Sequence, residues 1–348
     1  MYIMRDLKYL LAYTIPISTC YSIYYDGIWS YSAVIYAYLI IPIFELIFSE
    51  NDHKYSAEEK SSRLKNKLFD FMLYFNIPMV FGILAWGFSD LTSNLYSFSD
   101  QLGKIISLGI LLSTNGINVA HELGHRINIY EKILAKFLLI PTLYMHFFIE
   151  HNFGHHKNVA TPEDPASAKL NQSLYGFWIT SVIGQYISAW KIQTKLRKQN
   201  NFSFFSIKHD MIWYLLFQVI YIGLIFILFG VKGVFYASIT ALISVLMLET
   251  INYIEHYGLS RNKKGNRYER ILPIHSWNSN HIIGRLVLYE LTRHSDHHHI
   301  TSKKYQILEN KKESPQLPFG YPTSMIIAMI PPLWFWLINP RLKLLNNS

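Results

Sequence analysis

Long apolar runs separated by short polar connections make up most of the chain. A membrane-spanning helix needs about 20 mostly apolar residues, and six runs have roughly this length. The runs predict transmembrane helices at about residues 8–25, 31–49, 69–88, 104–120, 211–229 and 234–252. This pattern indicates an all-α integral membrane protein with six transmembrane helices, built as a single domain over residues 1–348.

The charge of the connections predicts how these helices are oriented. Residues 26–30 and 91–103 contain no Lys or Arg, whereas basic residues crowd 54–67, 191–208 and 261–270. Basic loops beside membrane helices remain on the cytoplasmic side. We therefore expect both termini and every histidine cluster to face the cytoplasm. The same rule accounts for the net charge of +9, so nucleic acid is not a predicted partner.

Three further apolar runs are predicted to lie at the membrane surface. Residues 132–148 connect His125 to His151, and one crossing would place these histidines on opposite sides of the membrane. This run should therefore leave and return on one side, with a bend at Pro141. The same argument predicts that residues 174–190 also leave and return on one side of the membrane. Residues 321–338, interrupted by two adjacent prolines, are predicted to be interfacial, with a seventh span as the alternative.

Four histidine clusters supply the candidate chemistry. They lie at 121–125 (His-Glu-Leu-Gly-His), 151–156 (His-Asn-Phe-Gly-His-His), 256, and 294–299 (His-Ser-Asp-His-His-His). Imidazole is the commonest metal ligand near neutral pH, and a single cysteine leaves nitrogen as the main donor. We predict a polyhistidine metal centre whose ligands are His121, His125, His151, His155, His156, His256, His294, His297 and His298.

The adjacent histidines indicate two metals rather than one. Neighbouring residues on a helix point about 100° apart, so His155–His156 and His297–His298 are suited to two neighbouring ions. Redox-active iron suits an imidazole-rich site, whereas zinc with this many ligands would be closed and inert. We therefore predict two non-haem irons that use O2 as co-substrate and attack C–H bonds of an aliphatic chain.

Carboxylates recur beside these histidines. A ligating imidazole usually donates its second ring N–H to a carboxylate or carbonyl, and the alternative interpretation is ordinary surface charge. The five candidates for this supporting role are Glu122, Glu150, Asp164, Glu255 and Asp296. No catalytic side chain beyond the di-iron centre is predicted.

Two other classes of protein share parts of this pattern. His121-Glu122-Leu-Gly-His125 is also the metal-binding pattern of zinc peptidases, in which Glu122 would be the general base. Such a peptidase needs only one further ligand, which leaves the remaining clusters unexplained. A metal transporter predicts polar residues within the spans, and the later spans contain few.

Several segments resemble one known family. They are His-Glu-Leu-Gly-His-Arg at 121–126, Glu-His-Asn-Phe-Gly-His-His at 150–156, Asn-Tyr-Ile-Glu-His-Tyr-Gly-Leu at 252–259, His-Ser-Trp-Asn-Ser-Asn-His at 275–281 and Arg-His-Ser-Asp-His-His at 293–298. These segments resemble the bacterial membrane alkane 1-monooxygenases, within the membrane fatty acid desaturase and hydroxylase superfamily. The resemblance covers essentially the whole chain.

The resemblance implies six transmembrane helices in the bacterial inner membrane, two irons held by the nine histidines, and terminal hydroxylation of n-alkanes. Electrons would come from rubredoxin and an NADH-dependent rubredoxin reductase. The chain has no Cys-x-x-Cys, so rubredoxin would be a separate protein. Hydroxylation of xylene or other aryl-methyl groups, or of the fatty-acid ω-carbon, is the alternative within the superfamily. In the family a bulky residue on the second span limits alkane length, and the matching position here is Ala37.

Overall fold

The computed structural model describes residues 6–48 and 54–346, and these residues are predominantly helical. Ser49, the last residue of the predicted second span, and both chain ends lie outside them. The long helices are α1 (residues 7–24), α2 (Gly27–Ile47), α3 (Leu68–Ser93), α4 (Phe98–Gly124), α5 (Leu174–Gln199), α6 and α7 (together Asp210–His256), α8 (Tyr321–Ala328) and α9 (Pro331–Asn346).

Shorter elements connect these helices. The short helices are Ala57–Lys65, Ile129–Leu138, Phe147–Ile149, His156–Asn158, Ile282–Val287 and His294–His299, with 3₁₀ turns at Ile140–Thr142, Pro273–His275 and Tyr305–Ile307. Strands β1 (Lys263–Lys264) and β2 (Arg267–Tyr268) form an antiparallel hairpin. Three helical segments of residues 6–48 and 54–346 are π-helical, at Tyr36–Ile40 in α2, Leu112–Ile117 in α4 and Glu150–His155.

Four helical stretches of the described chain are long and apolar enough to cross a membrane. They are Gly27–Ile47, Ala57–Ser93, Phe98–Gly124 and Asp210–His256. The pair α8 and α9, bent by 120°, would be a fifth if it counted as one broken span. The protein is therefore a multi-pass membrane protein by the length and composition of its helices.

The stretch Asp210–His256 is two helices rather than one. Gly230 has φ 64° and ψ −166°, a left-handed conformation that interrupts the helix. A Cβ on Gly233 would lie 3.5 Å from a methyl carbon of Ile225, although eight residues of straight helix would separate them by about 12 Å. The chain therefore reverses at Gly230, which separates α6 (residues 210–229) from α7 (residues 231–256), as the two apolar runs predicted.

Contacts at both ends of α6 give its direction. The Lys136 ammonium lies 2.8 Å from the Asp210 carboxylate at the start of α6, and Lys136 belongs to the segment between His125 and His151. At the other end of α6, the Phe229 ring packs 6.2 Å from Phe88, near the end of α3. The start of α6 therefore lies on the histidine side of the bundle, and Gly230 lies at the opposite end.

The segment between His125 and His151 has the bend that the sequence predicts. The run 132–148 is broken after Leu138 by the 3₁₀ turn that contains Pro141, and Leu143 follows with a positive φ of 54°. Helix α5 is not among the stretches that could span the membrane. The Nε2 atoms of His125 and His151 lie 3.2 Å apart, so the chain returns to the same side after the run 132–148.

A buried ionic cluster holds the chain just before the last histidine cluster. Tyr9 donates a hydrogen bond to Glu290 over 2.5 Å, and Arg285 donates to the same carboxylate over 2.8 Å. Burial alone would raise the pKa of Glu290, but Arg293 and Arg285 lower it to about 2. Glu290 is therefore ionised and ties α1 to the segment that leads into His294.

Candidate metal centre

The nine predicted histidines converge and form two groups, each able to hold a metal ion. Within each group, one ring nitrogen of every residue lies within 4.8 Å of the others. Site 1 consists of His121, His125, His151, His156 and His297. Site 2 consists of His155, His256, His294 and His298. All of these residues are buried except His125, which is partly buried.

Ring nitrogens in site 1 face one another. The Nε2 atom of His156 lies 2.9 Å from that of His151 and 3.1 Å from that of His125, while His125 and His151 are 3.2 Å apart. The Nε2 atoms of His121 and His297 are 3.0 Å apart. Each Nε2 has a single in-plane direction for a proton or lone pair, so three mutually close nitrogens do not satisfy one another by hydrogen bonding. Their lone pairs converge instead.

Site 2 has the same character and adjoins site 1. The Nε2 atoms of His256 and His294 are 3.0 Å apart. His155 Nε2 and both ring nitrogens of His298 are buried without a hydrogen-bond partner in the described part of the chain. The rings of His156 and His298, one from each site, stack 4.3 Å apart. The two sites are therefore neighbours.

These spacings fit metal coordination. Two nitrogens bound about 2.1 Å from one ion and separated by a right angle are about 3.0 Å apart, close to the distances of 2.9–3.2 Å found here. Buried polar atoms without partners are rare unless an ion or water completes them. The donor set consists of imidazole nitrogen, which suits iron. The residues therefore fit a pair of metal ions.

The π-helical segment Glu150–His155 decides which histidines share a site. In a π-helix each backbone N–H bonds to the carbonyl five residues earlier rather than four, which widens the turn. His151 therefore meets His156, five positions later, in site 1, whereas His155 belongs to site 2. The adjacent pairs His155–His156 and His297–His298 are each divided between the two sites.

Burial keeps these imidazoles ready to bind metal. For His151, His156 and His298, burial lowers the pKa well below its usual value, and the neighbouring imidazoles lower it further. Burial also lowers the pKa of His297, to about 3. These rings are therefore neutral near pH 7, and metal binding requires the neutral form.

Two of the five candidate carboxylates contact a clustered histidine. Asp164 lies 2.9 Å from His155 Nδ1 and accepts a 2.6 Å hydrogen bond from Ser167. Glu255 Oε1 lies 3.2 Å from His294 Nδ1 and accepts a 2.7 Å hydrogen bond from Tyr321. Each contact is on the Nδ1 side of the ring, which leaves Nε2 directed at the site. Tyr321 had no signal in the sequence.

The other three carboxylates have different partners. Glu122 accepts a 2.9 Å hydrogen bond from Arg126 and a 3.3 Å bond from the backbone of Tyr305. Glu150 accepts from Ser188 over 3.2 Å. Asp296 accepts from the backbone N–H of Glu309 over 2.8 Å and pairs with Lys303 and Lys311. These three carboxylates are close to the histidines in sequence, but none contacts a histidine ring of the two sites among the described residues.

One small cavity adjoins the histidine sites, and a second lies beside Ala37. The first holds about 20 Å³ and is bordered by His121 and His151 of site 1 and His294 of site 2. The second holds about 40 Å³, is almost wholly apolar and is bordered by Ala37, which is 7% exposed. Ile251 borders both cavities. Ile251 therefore lies between a cavity beside the histidine sites and a cavity beside Ala37.

Comparison with known proteins agrees with this architecture. Residues 102–323 match the family model described as fatty acid desaturase, and this range includes all nine histidines. The chain therefore belongs to the fatty acid desaturase family.

Within that family the similar proteins are monooxygenases. The chain is 34% identical over 318 residues to alkane 1-monooxygenase 2 of Alcanivorax borkumensis, covering 90% of this chain and 83% of that protein. It is 36% identical over 307 residues to alkane 1-monooxygenase of Acinetobacter baylyi, covering 87% and 74%. It is also 27% identical over 347 residues to the xylene/toluene monooxygenase hydroxylase component of Pseudomonas putida, covering 98% and 90%. The chain groups with the alkane 1-monooxygenases.

Proposed function

We propose that this protein is a membrane di-iron monooxygenase that hydroxylates the terminal carbon of n-alkanes. The observation that carries the proposal is a pair of histidine sites beside an apolar cavity. The reaction inserts one atom of O2 into the alkane and releases the other as water, and it consumes two electrons and two protons. A separate rubredoxin, reduced by an NADH-dependent rubredoxin reductase, is the proposed electron source.

The proposed topology has six spans, α1 to α4, α6 and α7, in the bacterial inner membrane. The histidine sites and both termini would face the cytoplasm, because the basic connections lie on that side. Residues 7–24 of α1 are about 27 Å long, close to the bilayer core of about 30 Å. The contact of Lys136 with Asp210 and the reversal at Gly230 support separate crossings by α6 and α7.

The nine histidines would bind two irons, one in site 1 and one in site 2. When bound, the irons supply O2 activation and the attack on the C–H bond. Asp164 and Glu255 would each hold the Nδ1 proton of one ligand, which fixes the tautomer and aims Nε2 at the iron. Glu122, Glu150 and Asp296 would support the site less directly, through Arg126, Ser188 and the backbone of Glu309.

The apolar cavities would hold the alkane. Their walls exclude water and leave the chain end-on to the sites, so that a terminal carbon is presented for reaction. The volumes of about 20 and 40 Å³ accommodate only a short piece of chain. Longer alkanes would therefore require side chains such as Ile251 to move. Ala37, at the far cavity, would set how deep the chain reaches.

Metal analysis of the purified protein, coupled to an octane assay, tests the proposal. We expect two irons per chain and conversion of octane to 1-octanol when rubredoxin, its reductase, NADH and O2 are supplied. A single zinc, or iron without alkanol formation, would overturn it.

Hydroxylation of aryl-methyl groups is the second candidate, because one similar protein is a xylene/toluene monooxygenase component. Product analysis on octane, hexadecane, xylene and laurate separates the alkane, aryl-methyl and fatty-acid activities. A zinc peptidase fits less well, because the Glu122 carboxylate is held by Arg126 and the Tyr305 backbone instead of facing the histidines.

A further inference from the structure

Helix α5 carries a surface that the proposed reaction does not use. Its buried side includes Leu174, Phe177, Ser181, Gln185, Ala189 and Gln193. On the opposite side, Tyr175, Ile179, Ile183 and Ile187 recur every four residues and are between 45% and 65% exposed. A row of exposed isoleucines of this length indicates contact with lipid or with another apolar partner.

The same row becomes basic towards the end of α5. Lys191 and Lys195 continue the four-residue spacing, and Lys198 lies beside them; all three are exposed. None of the three ammonium groups has an ion pair or hydrogen bond with any residue in the described ranges. Together with Tyr186 and Trp190 they border a groove of about 590 Å³. One end of the groove is apolar and the other is cationic.

The position of α5 places this groove at the membrane surface. Gln172, just before α5, accepts a 2.7 Å hydrogen bond from Tyr253 near the histidine end of α7. Near the other end of α5, Gln193 donates over 2.9 Å to the backbone of Lys208, just before α6. Both ends of α5 therefore lie on the histidine side, and the helix runs along that face.

We propose that the groove on α5 binds an anionic phospholipid. Its phosphate would lie against Lys191, Lys195 and Lys198, and its acyl chains would follow the row through Ile183 and Ile187. Long basic side chains at a membrane surface extend towards the headgroups while their stems cover apolar groups. An acidic soluble protein would match the lysines but would leave the isoleucine row uncovered, so a lipid fits the whole surface.

Lipid binding to the full-length protein in neutral detergent tests this site. Dioleoyl-phosphatidylglycerol should raise the thermal unfolding midpoint more than dioleoyl-phosphatidylcholine, and native mass spectrometry should retain it preferentially. Replacing Lys191, Lys195 and Lys198 by Gln should weaken phosphatidylglycerol binding about fivefold for each lysine removed and leave phosphatidylcholine binding unchanged. Glycerol phosphate alone should produce no shift, because it lacks the acyl chains.

A matched control removes equal charge elsewhere. Lys263, Lys264 and Arg267 are exposed on the β-hairpin, outside the groove, and their replacement by Gln should leave the lipid preference intact. Three results would overturn the site. They are an equal loss of phosphatidylglycerol binding in both triple variants, an equal rise of the unfolding midpoint with glycerol phosphate, and no preference of the wild type for phosphatidylglycerol over phosphatidylcholine. If the lysine triple variant fails to fold, Lys195→Glu compared with Lys263→Glu gives the same test. Neither result depends on alkane oxidation.

Discussion

Replacing Ala37 by Trp tests whether the cavity beside it holds the alkane. Ala37 packs against Ile15 and Ile41, and the adjoining cavity holds about 40 Å³, which an indole would fill. Each buried CH2 contributes about 0.8 kcal/mol, so the preference of the wild type should rise about fourfold per carbon until the slot is full. If the slot is shortened by three carbons, a long alkane loses about 2.4 kcal/mol of binding free energy, which lowers its preference by a factor of about 60.

The assay is a competition among n-alkanes from hexane to hexadecane, read as the yield of each 1-alkanol. Ala37→Trp should end the rise at a shorter chain, with iron content unchanged because Ala37 is not a histidine-site residue. Leu39→Trp is the matched control, since Leu39 lies on the same helix and is 55% exposed. Coincident profiles for wild type and Ala37→Trp would refute the assignment. An equal shift in Leu39→Trp would point to distortion of α2 instead.

Three further changes test the metal centre. Asp164→Asn weakens the partner of His155 and should lower iron affinity by about 10–100-fold, measured by iron titration; unchanged affinity would contradict the role of Asp164. Glu122→Gln should reduce activity by less than about 100-fold and lower the unfolding midpoint, because it breaks a buried ion pair with Arg126; near-total loss of activity with full iron content would instead support a general base. Inserting an alanine after Phe153, which is 53% exposed, should place His151 and His156 six residues apart, off a common helix face, and cost one of the two irons by elemental analysis, whereas Phe153→Ala should retain both.

The convergence of the histidines could be predicted from the sequence because two independent constraints act on it. Spacings of four residues, as between His121 and His125, place side chains on one face of a helix. The alternation of basic and uncharged connections placed all four clusters on one side of the membrane. Neither constraint concerns long-range packing, so both can be recognised without coordinates.

The supporting contacts could not be predicted from sequence proximity. Glu122 follows His121 and Glu150 precedes His151, yet adjacent helical residues point about 100° apart, so their carboxylates face other partners. Glu255 precedes His256 in the chain but contacts His294, which lies in a different helix. Such pairings depend on how distant segments pack, and the sequence carries no periodic signal for them.

The π-helical segments give the strongest argument that the cavities and the histidine sites are functional. Each of the three in the described chain adjoins them: Ala37 lies in Tyr36–Ile40, the first cavity is lined by Ser113 and Ile117 of Leu112–Ile117, and Glu150–His155 carries histidines of both sites. π-Helical turns are rare in proteins, and those that do occur are frequently found at functional sites. A random distribution would scatter them over the lipid-facing helices. Their position beside the two cavities and the histidine sites supports the proposal that the alkane lies there.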